Sequence, residues 1–496
     1  MNNSVRAIAA VKFLFHFLTA RMYGFFIDEI YFLACGQHLA WGYVDMPPLT
    51  AFQAWLTRHL FGDSPYSIRL FPSLAGAGLV LVAAAIAREL GGGKFAQILT
   101  AVAVLFAPGY LAFCSYLSMN SLEPLIWSGC ALIVIRLMKG GDPRLWLLFG
   151  LLAGIGLLNK HTMLVFGFAV VMALLLTADR SLMFNRWFVL AGGIAFLIFL
   201  PNLLWEVRNH FPHLELLANI RRNGRDVQMN PAVFLLWDVL LANPAAAPLW
   251  ITGLVALLLG SLKRFRAVGL MWVVTYVTLI AAGGRFYYLM PAFAILLAAG
   301  AVVIERMRIT RAVTLALIVI VGALIAPTAV PVLPAELYFR YTQLTHLSQP
   351  RFEHRATYAM PQFFADRFGW PEMVATVARA YNSLPAEERA RTAIFGNDFG
   401  QSGAVDFYGP QYGLPKSIGG HLTNWIWGPR QYTGESLLVL GDNQKRLEEL
   451  FEVVKPMGVI GHPYAMDQEH FTLFLAQKPR GGWTFQTIWP QLKKYE

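Results

Sequence analysis

Residues 8–29 read IAAVKFLFHFLTARMYGFFIDE. An apolar run, 8–26, is followed at once by two carboxylates, Asp28 and Glu29. An ionised side chain at membrane depth costs about 2.5–3.5 kcal/mol on insertion scales, so such groups persist where they pair or act. A helix end in water could carry the same charges at no cost. Position alone leaves these readings balanced, and the rest of the chain separates them.

The chain has 496 residues, 56% hydrophobic and 14% charged, with a mean hydropathy of +0.50. Long apolar runs in so apolar a chain mean membrane spans. The runs stop near Pro334, and polar residues with turn signals return from Ala335 onward. The expected organisation is a polytopic α-helical membrane domain over 1–334 and an α/β soluble domain over 335–496. The net charge of +11 speaks first to topology and second to an anionic ligand; no nucleic-acid partner is expected. Lys12, His16 and Arg21 interrupt the first run and no small-x-small site follows, so an uncleaved first span is expected. No Walker A, dinucleotide or HExxH motif is present, which leaves ATP-driven transport without support. Three cysteines make neither a disulfide framework nor a metal site, although Cys35 and Cys114 would both fall near one face, where a bridge could form.

Eleven candidate spans follow from hydropathy: 8–26, 68–87, 95–113, 122–135, 145–158, 163–176, 187–204, 246–262, 268–282, 287–304 and 312–330. The expected total is about 11–13. Alternate short loops are rich in Lys and Arg, among them Arg136, Lys139, Arg144, Lys263, Arg264 and Arg266. The positive-inside rule makes that face cytoplasmic. Asp28-Glu29, the Ser115–Glu123 turn, Asn159-Lys160-His161, the 205–243 loop and Arg285 then share the outer face, and an odd span count puts the soluble domain there too.

The first outer loop is structured. Pro47-Pro48 can open a helix, in which Leu49, Phe52, Leu56 and Leu60 form a stripe opposite Thr50, Gln53, Thr57 and Arg58. That pattern predicts an amphipathic helix in the interface. Pro212 opens a similar one. In the tail, 392–395, 436–440, 459–461 and 471–475 read as strands, and 373–381, 402–408 and 444–451 as helices. The turn Gly396-Asn-Asp-Phe-Gly400 stands where α/β sheets bind ligands, but Gly and Asn also serve such turns for backbone reasons alone, and that reading is preferred.

A carboxylate pair beside a membrane can act as a general base, hold a metal or relay protons. Glu123, preceded by Asn120, adds a third acid, which could equally complement a helix dipole. Lys160, His161 and Arg285 place cations on the same face and suit a phosphate, unless they are simply charge-paired. Tyr287 and Tyr288 follow Arg285, where interfacial aromatics are ordinary. Arg221, Arg222 and Arg225 form a basic cluster suited either to lipid headgroups or to an anionic acceptor. Together these groups suggest transfer from a phospholipid-linked donor, with cations at the leaving phosphate and a carboxylate taking the acceptor proton.

Several stretches carry a resemblance. They are Asp28-Glu-Ile-Tyr31, Gly42-Tyr-Val-Asp-Met-Pro-Pro-Leu49, Tyr116-Leu-Ser-Met-Asn-Ser-Leu-Glu123, Leu158-Asn-Lys-His161 and Arg285-Phe-Tyr-Tyr-Leu-Met-Pro291. In that order, on this hydropathy profile, the chain resembles a GT-C glycosyltransferase of the protein-mannosyltransferase and aminoarabinose-transferase kind (glycosyltransferase families 39 and 83). The tail stretches 407–415 and 425–429 look like bacterial members. The resemblance implies an inverting, multi-pass enzyme of the inner membrane that takes one sugar from a polyprenyl-phosphate donor at the periplasmic face. Asp28, Glu29 and Glu123 would be catalytic or metal-associated, and the family leaves the need for a divalent ion open. Lys160, His161 and Arg285 would hold the donor phosphate. Tyr43, Asp45, Arg58, Asn120, Tyr287, Tyr288 and the Arg221–Arg225 cluster would meet substrate. Arg285 stands where Lys is common and Glu123 where Asp is frequent, so the charge is kept while donor specificity can differ. An anionic glycolipid such as lipid A is the first acceptor expected and a protein hydroxyl the second. The rival class is a flippase for a lipid-linked sugar, which would need broken helices and polar groups at the bilayer midplane.

Overall fold

The computed structural model describes residues 2–224, 229–347 and 360–496. Six of its helices are long and apolar enough to cross a membrane: Pro65–Glu89, Met119–Met138, Arg186–Arg208, Lys263–Ala281, Phe286–Ile304 and Arg308–Ala329. A seventh span results if Pro231–Leu241 and Pro244–Leu258, bent by 102° at their junction, are taken together. Lys94–Leu105, Leu145–Asn159 and Met163–Leu175 are shorter apolar helices that need tilt or neighbours to span. The chain is a multi-pass membrane protein.

Three expected boundaries move. The first run is not one helix: α1 (Asn3–Thr19) ends early and α2 (Ile27–Gln37) begins after a turn. Tyr23 and Gly24 take positive φ there, a conformation a helix cannot contain. The run 95–113 splits at Phe106-Ala107, and Pro108 opens a separate short helix, Pro108–Phe113. The run 246–262 is the second limb of the bent pair.

Small residues set the helix crossings. A Cβ on Gly300 would stand 1.9 Å from the Leu249 carbonyl oxygen, and one on Gly253 would stand 2.2 Å from that of Leu296. Only glycine allows those backbones so close, the usual route to tight helix packing in lipid. The Arg186–Arg208 helix packs one side on Gly150, where a Cβ would stand 2.4 Å from the Ala191 carbonyl oxygen, and with 11% of its apolar window buried the rest of its surface faces lipid.

Pro48 does precede a helix, α3 (Leu49–Phe61). Its polar face points inward: Thr50, Gln53 and Thr57 are buried, whereas Phe52, Leu60 and Phe61 are exposed. A polar face on the protein and an apolar face outward suit a helix lying against lipid. Pro212 opens a helix too, Pro212–Asn223, which buries Pro212 and Leu216 and exposes Leu214 and Leu217.

The tail carries a four-stranded sheet of β1 (Thr392–Gly396), β2 (Ser436–Leu440), β3 (Phe451–Ile460) and β4 (Phe471–Pro479), in the order β1-β2-β4-β3. β1 runs parallel to β2, with Thr392 opposite Ser436; the other pairs are antiparallel. The helix Phe399–Tyr408 lies on α2, where glycines permit close approach: a Cβ on Gly400 would meet Ile27 at 2.4 Å, and one on Gly403 would meet Ile30 at 2.9 Å. One apolar core joins Ile30 and Leu33 of α2 to Val374, Ala404, Leu438 and Leu473 of the tail. The tail therefore props the helix that bears Asp28.

Candidate active site

Asp28 and Glu29 occupy the first turn of α2 and diverge by about 100°, the step between helix neighbours. Glu29 points into protein and is fully buried. Its carboxylate takes Arg69 Nε at 2.9 Å and Nη2 at 2.5 Å, and accepts the backbone N–H groups of Phe26 (2.9 Å) and Leu117 (2.8 Å). Every strong acceptor site on Glu29 is in use. Asp28 is half-buried and lines a cavity of about 240 Å³.

That cavity also takes in Asn120, Arg285 and Tyr287, with Gln362, Asp366 and Phe399 from the tail. Its remaining wall is largely apolar, including Pro108, Ala112, Trp237, Leu240, Ile325 and Ala329. A polar end on an apolar trough suits a ligand with a charged head and a hydrocarbon tail. Arg285 Nη1 donates to the Tyr287 hydroxyl at 3.3 Å. Burial, and then the charge of Asp28, raise the Tyr116 phenol above its ordinary value, so this cavity residue stays protonated.

Lys160 joins the site through Asn120. Its ammonium donates to Asn120 Oδ1 at 2.8 Å and to Glu123 Oε2 at 3.1 Å, and stands 3.9 Å from the centre of the Tyr288 ring. Thr162 donates to the other oxygen of Glu123. Lys160 and Glu123 are both buried, a charge pair with its hydrogen bonds satisfied.

Other expected contacts lie elsewhere. His161 bonds Asn202 at 3.1 Å and packs its ring 4.6 Å from that of His213. Tyr43 closes the loop after α2, donating to the carbonyls of Cys35 and His38 and accepting from Ala40. Asp45 accepts from Tyr31 at 2.8 Å. Arg58 is paired with Asp63 at 2.5 Å. Arg221 and Arg222 are exposed and bonded to Ala282 and Asn219; Arg225 lies outside the described residues. None of these lines the cavity. Among the described residues no three His, Cys, Asp or Glu side chains are grouped to hold a metal ion. Glu29 and Glu123 each have a cation as partner already, so the three acids do not fit an ion. Cys35 and Cys114 are free and buried.

Residues 45–205 match the family model described as dolichyl-phosphate-mannose-protein mannosyltransferase. The crystal structure of ArnT from Cupriavidus metallidurans bound to undecaprenyl phosphate superposes with a TM-score of 0.62 at 16% identity, over 94% of this chain and 97% of that one. The chain shares the fold of that ArnT. The apo form of the same ArnT gives 0.59 at 17% identity over the same shares. No curated protein sequence matches. In this ArnT-like fold the cavity opens where spans, first loop and tail meet.

Sequence reasoning missed six contributors. Arg69 and Trp237 carried no motif. Gln362, Phe363 and Asp366 sit in the tail, about 330 residues after Asp28. Phe399 lies in the Gly396–Gly400 turn, whose Gly and Asn read first as backbone requirements, and it lines the cavity.

Proposed function

We propose that this protein is an inverting glycosyltransferase that moves a single sugar from a polyprenyl-phosphate donor to an anionic glycolipid at the periplasmic face of the inner membrane. The observation that carries this reading is one cavity in which Asp28 and Arg285 share a polar end above an apolar trough. The likeness to ArnT, whose structure holds undecaprenyl phosphate, supports a donor of that class. The membrane part, 1–334, holds the donor, and the tail, 335–496, completes the site.

The donor's prenyl chain lies along Pro108, Leu240 and Ile325. Its phosphate meets Arg285, with Lys160 adding positive potential through Asn120. As the glycosidic bond breaks, negative charge grows on the leaving phosphate oxygen, and fixed cations in a dry site stabilise it. Asp28 accepts the proton of the attacking hydroxyl; if the acceptor is itself a phosphate no base is needed, and Asp28 orients it. Glu29 positions Asp28 through Arg69 and does not react. Glu123 holds Lys160 in place.

The test is a mass-spectrometric comparison of lipids and lipopolysaccharide from cells with and without the protein. A sugar-sized mass that depends on the protein is expected in the lipid A fraction. Its appearance on glycoproteins instead would move the acceptor to protein hydroxyls, the second reading, which the match over 45–205 favours. No protein-dependent sugar in any fraction would sink the transferase reading.

A further inference from the structure

Where the far end of α2 meets the tail, four basic side chains gather on one seam: His38, Arg58, Lys416 and Arg430. The Lys416 ammonium donates to the side-chain oxygen of Gln37 and to the Asp406 carbonyl at 3.1 Å. Arg430 Nε donates to the Ser417 carbonyl at 3.1 Å, and its Nη2 stands 4.0 Å from Asp406 Oδ2. Arg58 lies over the Phe407 ring, 5.4 Å from its centre. His38 packs its ring 4.5 Å from that of Trp427, and its Nε2 has no hydrogen-bond partner among the described residues.

The local carboxylates do not balance this charge. Asp406 is buried, with Oδ1 taken by the Ser417 amide (2.7 Å) and hydroxyl (2.9 Å). Asp63 sits at the rim on Arg58 alone, more than half exposed. Three permanent cations thus face two carboxylates, one of them turned to Ser417. Burial lowers the Lys416 ammonium, and Arg58 and Arg430 lower it further against the pull of Asp406. The cations crowd each other, and among the described residues Nη1 of neither arginine carries a hydrogen bond. Planar guanidinium forks beside an ammonium suit a phosphate or carboxylate.

Exposed apolar side chains flank the seam. Phe52, Leu60 and Phe61 of α3 are exposed on the same element as Arg58, and Leu39 and Trp41 are exposed beside His38. Exposed aromatic and apolar groups next to cations are the pattern of a membrane-surface contact. The spacing is set by α2: ten residues from Asp28 to His38 rise about 15 Å. We propose that this seam binds the phosphate of a phosphorylated glycolipid acceptor, anchoring it about one α2 length from Asp28. The assignment deepens the transferase reading and rests on it for the acceptor's role, while binding itself needs no turnover.

The test uses full-length protein in detergent, with lipid A in the same micelles as the probe. Undecaprenyl phosphate, phosphatidylcholine and inorganic phosphate are the comparisons, and binding is read by tryptophan fluorescence. The double variant Lys416→Gln/Arg430→Gln is expected to weaken lipid A binding by about tenfold or more and to leave undecaprenyl phosphate within about twofold. Lys416→Arg keeps the charge and is expected to bind as wild type does, which separates lost charge from a damaged fold. Unchanged lipid A binding by the double variant overturns the proposal, and so does equal loss of both lipids. Inorganic phosphate or phosphatidylcholine binding as tightly as lipid A also overturns it. If lipid A binds through the seam but no sugar is transferred to any acceptor, the transferase reading falls and the seam stands. If transfer proceeds with the same KM for lipid A in the double variant, the seam falls and the transferase reading stands.

Discussion

Glu29 and Arg69 form a two-point ion pair sealed from water, at 2.9 and 2.5 Å, with side chains 0% and 1% exposed. Arg69 also donates to the carbonyls of Ala20 and Gly24, and Glu29 accepts the amides of Phe26 and Leu117. One pair thereby ties the turn after α1, the start of α2, the Pro65–Glu89 span and the segment before Glu123. Asp28 is held at the centre of that knot.

Removing one member of a buried pair leaves the other charge unpaired, at a cost of about 3–5 kcal/mol. Glu29→Gln and Arg69→Ala are therefore expected to lower the melting midpoint in detergent sharply, while Asp28→Asn melts close to wild type. A Glu29→Gln protein that melts normally but has lost transfer would return Glu29 to the chemistry.

Asp28→Asn is expected to lower kcat by about 10²–10⁴-fold, the range for a general base, with donor KM little changed. The measurement is steady-state transfer to a hydroxyl acceptor by purified protein. Full kcat in the variant would remove Asp28 from proton transfer.

Arg285→Ala is expected to weaken undecaprenyl phosphate binding by about 1.5–3 kcal/mol, as for other hydrogen bonds to charged groups. Arg285→Lys should recover part of this, because it restores the charge without the fork. Titration of the lipid into detergent-solubilised protein reads both. Wild-type affinity in Arg285→Ala would place the phosphate elsewhere.

His213, outside the spans, is lowered from about 6.5 to about 4, first by burial and then by His161 beside it. The folded protein keeps this ring neutral where the unfolded chain would protonate it. Its contribution is whole above pH 6.5 and is lost as pH falls toward 4, at up to about 1.4 kcal/mol per pH unit. Melting midpoints at pH 7 and pH 5 should differ more for wild type than for His213→Gln. Identical slopes would show that His213 is not the group responsible.

The elements were largely legible because their signals are local. Apolar length marked the spans, Pro48 and Pro212 marked the interfacial helices, and alternation marked β1, β2 and β4 to within a few residues. The misreadings had local causes too. The 8–26 run concealed a turn because its residues are apolar throughout, and only Tyr23 and Gly24 with positive φ reveal it. Residues 459–461 were recognised only as the end of a longer β3, whose half-exposed face lacks clean alternation.

The site divides in the same way. Asp28, Asn120, Lys160, Glu123, Arg285 and Tyr287 could be singled out because a polar group is costly beside apolar spans. That cost says a group must have a partner and does not say which. Asp28 and Glu29 were equivalent in sequence; the helix turned one to the cavity and the other to Arg69, 40 residues away. By itself the sequence determined most of the apolar helices, the interfacial helices, the α/β tail and the presence of acids and cations among them, since hydropathy and periodicity act over one or two turns of chain. Only the tertiary structure decided which acid faces the cavity, which is neutralised, and that Phe363, Asp366 and Phe399 close the wall, because packing makes those pairings between residues from 40 to more than 300 positions apart.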